Sequence, residues 1–302
     1  MFVNLRSLCE HLFAMRTARP GLKPPRPSLS SARPTAADAR ARDDEGSSGE
    51  FVQSLSRGLA IIEAFGGAGD GLTLAEAARR TGVSRASARR LLHTLETLGY
   101  ARSDGRRFAL EPRVLQLGFS YLQSRGLWEA AQPHMVELVE AIHESCSAAV
   151  LDGAEIVYVA RVPVRARLMS QSLGIGSRLP AAATSMGRVL LASLAPAERG
   201  RGIERVGPLA SRADRPAIDV RALARELDIV ARQGYALVDQ ELEPGLRSIA
   251  VPIIDGAGRT VAALNIGTHA ARVTIDRLRR EFLPPLRHCA ERIGAALGKR
   301  PD

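Results

Sequence analysis

An α+β fold in two parts is predicted for this 302-residue chain, and three observations carry that prediction. Between residues 74 and 110, a short helical pattern, a glycine turn, a basic helical pattern and a basic hairpin follow one another. Beyond residue 126, strand-like runs come in pairs and share the sequence with amphipathic helical patterns. The length itself predicts about two domains, each with residues enough for its own core. The first part has the layout of a winged helix-turn-helix. The second reads as an antiparallel sheet flanked by helices.

Residues 1–50 read as a disordered leader. Pro20, Pro24, Pro25, Pro27 and Pro34 break any helix, and Ser, Ala and Arg fill the gaps. Leu5, Leu8, Leu12 and Phe13 precede them without forming a secretory apolar core, and Met15 offers an alternative start. The first domain spans 51–111. Ser56 is expected to cap a helix with Leu59, Ile61, Ile62 and Phe65 at helical spacing, ended by Gly66 and Gly67. Thr73 with Glu76 three residues on predicts a capping box, and that helix stops at Thr81-Gly82. Ser84 caps the next helix, which runs to Gly99.

A linker helix is expected over 112–125, starting at Glu111-Pro112, with Val114, Leu115, Leu117 and Leu122 on its apolar side. Its end at Ser124-Arg125-Gly126 marks a hinge. The second domain, 126–300, opens with a helix over 127–144. Strands at 147–151 and 155–161 are joined by Asp152-Gly153, a hairpin signal. Helices are expected over 185–194 and 220–233, strands over 235–240, 248–253 and 260–267, and a last helix over 275–297.

Composition narrows the function. No apolar run approaches the roughly 18 residues that span a bilayer, so no membrane role is expected. Cys9, Cys146 and Cys289 are widely spaced and form no CxxC pair, which argues against a disulfide framework or a zinc site and suits the cytoplasm. No metal, cofactor or catalytic constellation is expected. The net charge is +10, and residues 51–125 hold eleven Lys/Arg against six Asp/Glu. That excess falls where phosphate neutralisation would use it.

On a helical wheel, Ala88, Leu91, Leu92, Leu95 and Leu98 of the second helix face the core. The opposite face presents Ala86, Arg89, Arg90 and His93, with Arg85 and Ser87 at its edge. Small residues allow close approach to base edges, and arginine bonds guanine bidentately or clamps phosphate. Between Glu76 and Glu96 lie five arginines and no acidic side chain. Arg106 and Arg107, at the hairpin tip, are expected to hold phosphate or enter the minor groove. A solvated basic face is the bland explanation for the charge run, but it leaves the turn, the caps and the hairpin unexplained. A DNA-binding site of Arg85, Ala86, Ser87, Arg89, Arg90, His93, Arg106 and Arg107 follows.

From Phe51 onward the sequence resembles the IclR family of bacterial transcription regulators. The resemblance rests on Ser56-Arg57-Gly58-Leu59, on the helix-turn-helix, on the run 180–192 containing Thr184-Ser185-Met186-Gly187, and on Gly245-Leu246-Arg247-Ser248. The stretches 51–59, 156–163 and 233–242 resemble the subgroup that regulates the β-ketoadipate pathway and related aromatic-acid catabolism. The resemblance implies a GAF-like effector-binding domain behind the winged helix. It also implies homodimers or homotetramers on a palindromic double-stranded DNA operator, and more an activator than a repressor.

Thr184-Ser185-Met186-Gly187 precedes a clear helix, so backbone N–H groups and two hydroxyls converge at a positive helix end suited to a carboxylate. Simple capping explains the same residues and is compatible with binding. By resemblance, the effector pocket takes in Thr184, Ser185, Met186 and Gly187 together with Leu246, Ser248, Asn265 and Gly267. Several relatives carry serine where this chain has Asn265. Arg161, Arg188 and Arg247 are candidate carboxylate clamps, each of them equally suited to an ordinary ion pair. The effector is expected to be a small carboxylate such as β-ketoadipate or protocatechuate. Three other readings stay open: a repressor of another catabolic operon with a different small acid, an interaction module whose helix-turn-helix no longer binds DNA, and, remotely, a GAF-fold redox enzyme using Cys146 near His143 and Glu144.

Overall fold

The structure, a computed structural model, describes residues 51–164, 173–210 and 219–297. The leader lies outside the described residues. Helix α1 (Gln53–Ala64) is followed by β1 (Leu72–Thr73), α2 (Leu74–Thr81), α3 (Arg85–Thr97), β2 (Ala101–Ser103) and β3 (Arg107–Leu110). The three short strands form an antiparallel wing in the order β1-β3-β2. Local chemistry fixes these boundaries. Thr73 Oγ1 accepts from the Glu76 N–H at 3.3 Å while a Glu76 carboxylate oxygen accepts from the Thr73 N–H at 2.8 Å. Gly82, at φ 71°, takes the left-handed position that ends α2, and Ser84 Oγ then accepts from the Ser87 N–H at 3.1 Å to begin α3.

The core of this part is small: Ile61, Leu72 and Leu92 are fully buried among alanines. Each contributes about 1.5–3 kcal/mol of burial free energy. Two expectations are corrected. Ser56 sits inside α1, because the Val52 carbonyl already accepts from the N–H groups of Leu55 and Ser56 and so starts the helix a turn earlier. Leu98, expected in the core, is half exposed, because it caps α3 beyond the last turn that the core covers, whereas Ala88, Leu92 and Leu95 are buried.

A 3-10 turn (Pro112–Val114) leads into α4 (Leu115–Arg125) and then α5 (Leu127–Ile142). Leu115, Leu117, Phe119 and Tyr121 are exposed, so the apolar side expected of the linker helix is largely uncovered among the described residues; Leu122 packs on the core that follows. Next come β4 (Ser145–Asp152), β5 (Glu155–Val162), β6 (Arg178–Pro180), α6 (Ser185–Ala192), α7 (Pro196–Ala210), α8 (Val220–Gln233), β7 (Ala236–Asp239), β8 (Leu246–Ile254) and β9 (Thr260–His269). The last helical stretch comprises α9 (Ile275–Arg277), a π-helical turn (Leu278–Phe282) and α10 (Leu283–Leu297). Neither β6 nor α7 was expected from the sequence.

Six strands pair antiparallel in the order β6-β5-β4-β9-β8-β7. Strand alternation sorts the two faces. Ile249, Val251, Ile253, Ala262, Leu264 and Ile266 point to one side, where α10 covers β8 and β9 and α5 covers the neighbouring β4 and β5. The intervening positions are small or polar: Ser248, Ala250, Ala263, Asn265 and Gly267. On that second side, α6 and α8 pack over part of the sheet. Short side chains leave space beside them, and a cavity forms there.

Candidate functional site

Two places in the chain carry chemistry. The first is the outer face of α3. Arg85, Ala86, Arg89, Arg90 and His93 are exposed and Ser87 is half-buried beside the cap. Among the described residues no carboxylate pairs with Arg85, Arg89 or Arg90, while His93 Nδ1 lies 3.3 Å from Glu96. The wing arginines, grouped by the sequence, separate in the structure. Arg106 is exposed at the tip, where its N–H and that of Arg107 donate to Asp104 Oδ1 at 2.8 and 2.6 Å; these bonds hold the Asp104 carboxyl below its usual range. The Arg107 guanidinium instead turns inward, donating to the carbonyls of Gly71 (2.8 Å) and Asp70 (3.3 Å) and lying 3.6 Å from Glu76. It braces the wing against the start of α2. Arg80 is likewise engaged, donating to the carbonyl of Ala64 at 2.8 Å.

The second place is a half-open cavity of about 750 Å³ beside the small-residue face of the sheet. That volume suits a small organic ligand. Seven of the residues expected there line it: Arg161, Thr184, Ser185, Leu246, Ser248, Asn265 and Gly267. Met186 and Gly187 do not. Met186 is fully buried in the core under α6. Gly187 lies against the backbone before it: a Cβ there would come within 2.0 Å of the Ala181 carbonyl oxygen. Its N–H donates to Thr184 Oγ1 at 3.0 Å, so the glycine seats the helix start and does not face the cavity.

The candidate arginines also divide. Arg188 is buried and saturated, with Nε donating to the Ala182 carbonyl at 2.8 Å and Nη1 to Glu226 at 2.6 Å and Glu241 at 2.9 Å. Arg247 forms a bidentate pair with Asp239 at 2.7 and 3.0 Å and donates to the Val273 carbonyl. Both are structural ties, the ordinary ion-pair reading of the two left open for them by the sequence. Arg161 alone of the three lines the cavity; its Nη1 lies 3.3 Å from Ser147 Oγ, and it has no ion pair among the described residues.

Several lining residues were missed by the sequence: Ser145, Ser147, Tyr158, His269 and Arg272. A signal for the serines existed, since Ser145 pairs with Gly267 and Ser147 with Asn265 across β4 and β9. Ser185 and Ser248 share a hydrogen bond at 2.9 Å. Burial pushes the Tyr158 phenol up, against the pull of Arg161, so it stays a donor at neutral pH. His269 Nδ1 accepts from the Ala271 N–H at 3.2 Å, which leaves Nε2 to carry the proton of the neutral ring. Among the described residues the wall therefore combines apolar surface with hydroxyls, an amide, the His269 imidazole, the Glu243 carboxylate and two guanidinium groups.

Cys146 lies on the other face of β4, fully buried between sheet and helices. Burial raises its thiol well above the ordinary range. The redox reading therefore has no accessible thiolate to work with.

A capped helix-turn-helix with a wing, joined in one chain to a domain holding a polar cavity, defines a ligand-responsive regulator class. The chain belongs to the IclR family of DNA-binding transcriptional regulators. Residues 54–105 match the IclR helix-turn-helix domain, and residues 119–295 match the family described as bacterial transcriptional regulator IclR C-terminal. It is 46% identical over 237 residues to the Pca regulon regulatory protein of Pseudomonas putida, covering 78% of this chain and 81% of that one. It is 38% identical over 248 residues to the p-hydroxybenzoate hydroxylase transcriptional activator of Acinetobacter baylyi, covering 81% and 91%. Among solved structures, a transcriptional regulator from Rhodococcus sp. RHA1 is similar, with a TM-score of 0.72, 47% identity, and 82% and 98% of the two chains covered. No helix among the described residues is long and apolar enough to cross a membrane.

Proposed function

We propose that this regulator activates genes of aromatic-acid breakdown when a small carboxylate of that chemistry occupies the cavity beside β4, β8 and β9. The observation that carries the reading is Arg161: a half-buried guanidinium in the cavity wall with no carboxylate partner among the described residues. An arginine so placed is a ready partner for a ligand carboxylate. Ser185, at the start of α6, and Ser248, hydrogen-bonded to it from β8, supply hydroxyls beside a positive helix end. Similarity to the Pca regulon regulatory protein and to the p-hydroxybenzoate hydroxylase transcriptional activator supports the aromatic-acid class and, through the second, activation.

The output is double-stranded DNA, read by Arg85, Ala86, Ser87, Arg89, Arg90 and His93 with Arg106 at the wing. A palindromic operator and a homodimer or homotetramer suit the exposed apolar residues of α1 and α4, among them Leu55, Leu115 and Phe119, which a second copy would cover. The cytoplasm is the compartment this function requires. Thermal-shift assays with protocatechuate, 4-hydroxybenzoate and β-ketoadipate test the effector class. Stabilisation by at least one of them is expected, and no shift from any at millimolar concentration would remove the class. Gel shift with the protein's own upstream DNA tests the output.

A further inference from the structure

The arginines of the second domain differ in how fully their guanidinium groups are used. Arg188 and Arg247 are saturated by hydrogen bonds. Arg272 is not. It lines the cavity just past β9, its side chain is 48% exposed, and its Nη2 lies 3.6 Å from Oε1 of Glu144. That separation exceeds hydrogen-bonding distance, so charge holds the pair without a directed bond. Glu144 is buried at the junction of α5 and β4, one residue before the cavity-lining Ser145.

A buried carboxylate needs a cation, and so does an anion entering the cavity. Arg272 stands within reach of both, facing Glu144 and lining the cavity. The backbone beneath it is fixed: the N–H groups of Arg272 and Val273 both donate to the His269 carbonyl, at 2.9 and 3.2 Å. Only the side chain has to move.

We infer that Glu144 is a latch on the cavity's second cation. It holds Arg272 back in the empty protein, a bound carboxylate draws Arg272 across, and Glu144 thereby sets the ligand concentration at which the regulator responds. The inference rests on the carboxylate-effector reading above. Arg161, without such a competitor among the described residues, provides the anchoring contact; Arg272 provides the threshold.

The test is a double-mutant cycle on the full chain, with protocatechuate and 4-hydroxybenzoate titrated calorimetrically. Glu144→Gln should bind about threefold tighter, the size of gain expected when a partly exposed ion pair is removed as competitor. Arg272→Gln should bind about tenfold weaker. Adding Glu144→Gln to Arg272→Gln should change nothing further, because the latch has lost its bolt. Should Glu144→Gln not fold, Glu144→Asp withdraws the carboxylate by one methylene and is expected to tighten binding likewise. Unchanged or weaker binding by the Glu144 variants, or the same gain with and without Arg272, would overturn the latch alone. If neither wild type nor Glu144→Gln binds either acid, the effector reading fails and the latch with it.

Discussion

Arg89 and Arg107 show how little residue type decides at the scale of a single side chain. Both sit in the basic segment, yet Arg89 is exposed on α3 without a carboxylate partner among the described residues, and Arg107 holds two backbone carbonyls of the preceding loop. The expected outcomes separate accordingly. Arg89→Ala should weaken specific operator binding by about 1–3 kcal/mol while leaving the melting temperature unchanged. Arg107→Ala should lower stability by about 1–2 kcal/mol through the lost charge-assisted bonds, and impair DNA binding only through the loosened wing. Gel-shift titrations and denaturant melts on the same two variants check both. A wild-type affinity for Arg89→Ala would reject its assignment to a base. Nothing in the sequence distinguishes Arg106 from Arg107, because the carbonyls that capture Arg107 lie about 36 residues away along the chain.

At the scale of elements, the caps were the most legible part of the fold, since Thr73 with Glu76 and Ser84 with Ser87 act over three residues. The helix α7 was not, because Gly200 and Gly202 and a run of charges blur its periodicity; nor was β6, three residues long and paired only to β5. The cavity was partly legible. Alternation along β8 and β9 separates Ser248, Asn265 and Gly267 from the large apolar positions and extends to His269 at the end of β9, but Arg272 reaches the cavity only through the turn after β9. The pair Asp239–Arg247 is a cross-strand tie between β7 and β8 that the sequence could not show. Its pH dependence has a definite sign. Hydrogen bonding to Arg247 holds the Asp239 carboxyl below its ordinary value of 3.8. A carboxylate whose folded pKa is depressed contributes stability that is fully present above the unfolded value and lost as pH falls through the folded one. Acid titration should therefore erode this tie below pH 3.8, and Asp239→Asn should be less stable at neutral pH with a flatter acid limb. Parallel melts from pH 7 to pH 2 measure it; an acid limb identical to wild type would show that the pair carries no linkage.

At the scale of the whole molecule, a winged helix and a cavity on one chain are useful only if occupancy of one site alters the other. A ligand shifts an equilibrium only by its difference in affinity for the two states. The coupling must then be reciprocal: whatever factor the effector applies to operator affinity, the operator applies to effector affinity. Couplings of this kind commonly amount to about 5–150-fold. Protocatechuate affinity, measured calorimetrically with and without a saturating operator duplex, should change by the same factor as operator affinity measured with and without protocatechuate. Ionic strength must match in both arms, because phosphate contacts make the DNA term strongly salt-dependent. Binding of the acid with a factor of one in both arms would leave the cavity a genuine ligand site and remove it as the switch. Equal factors above one would join the two sites thermodynamically, and Glu144→Gln should then lower the effector concentration that produces the change without altering its size.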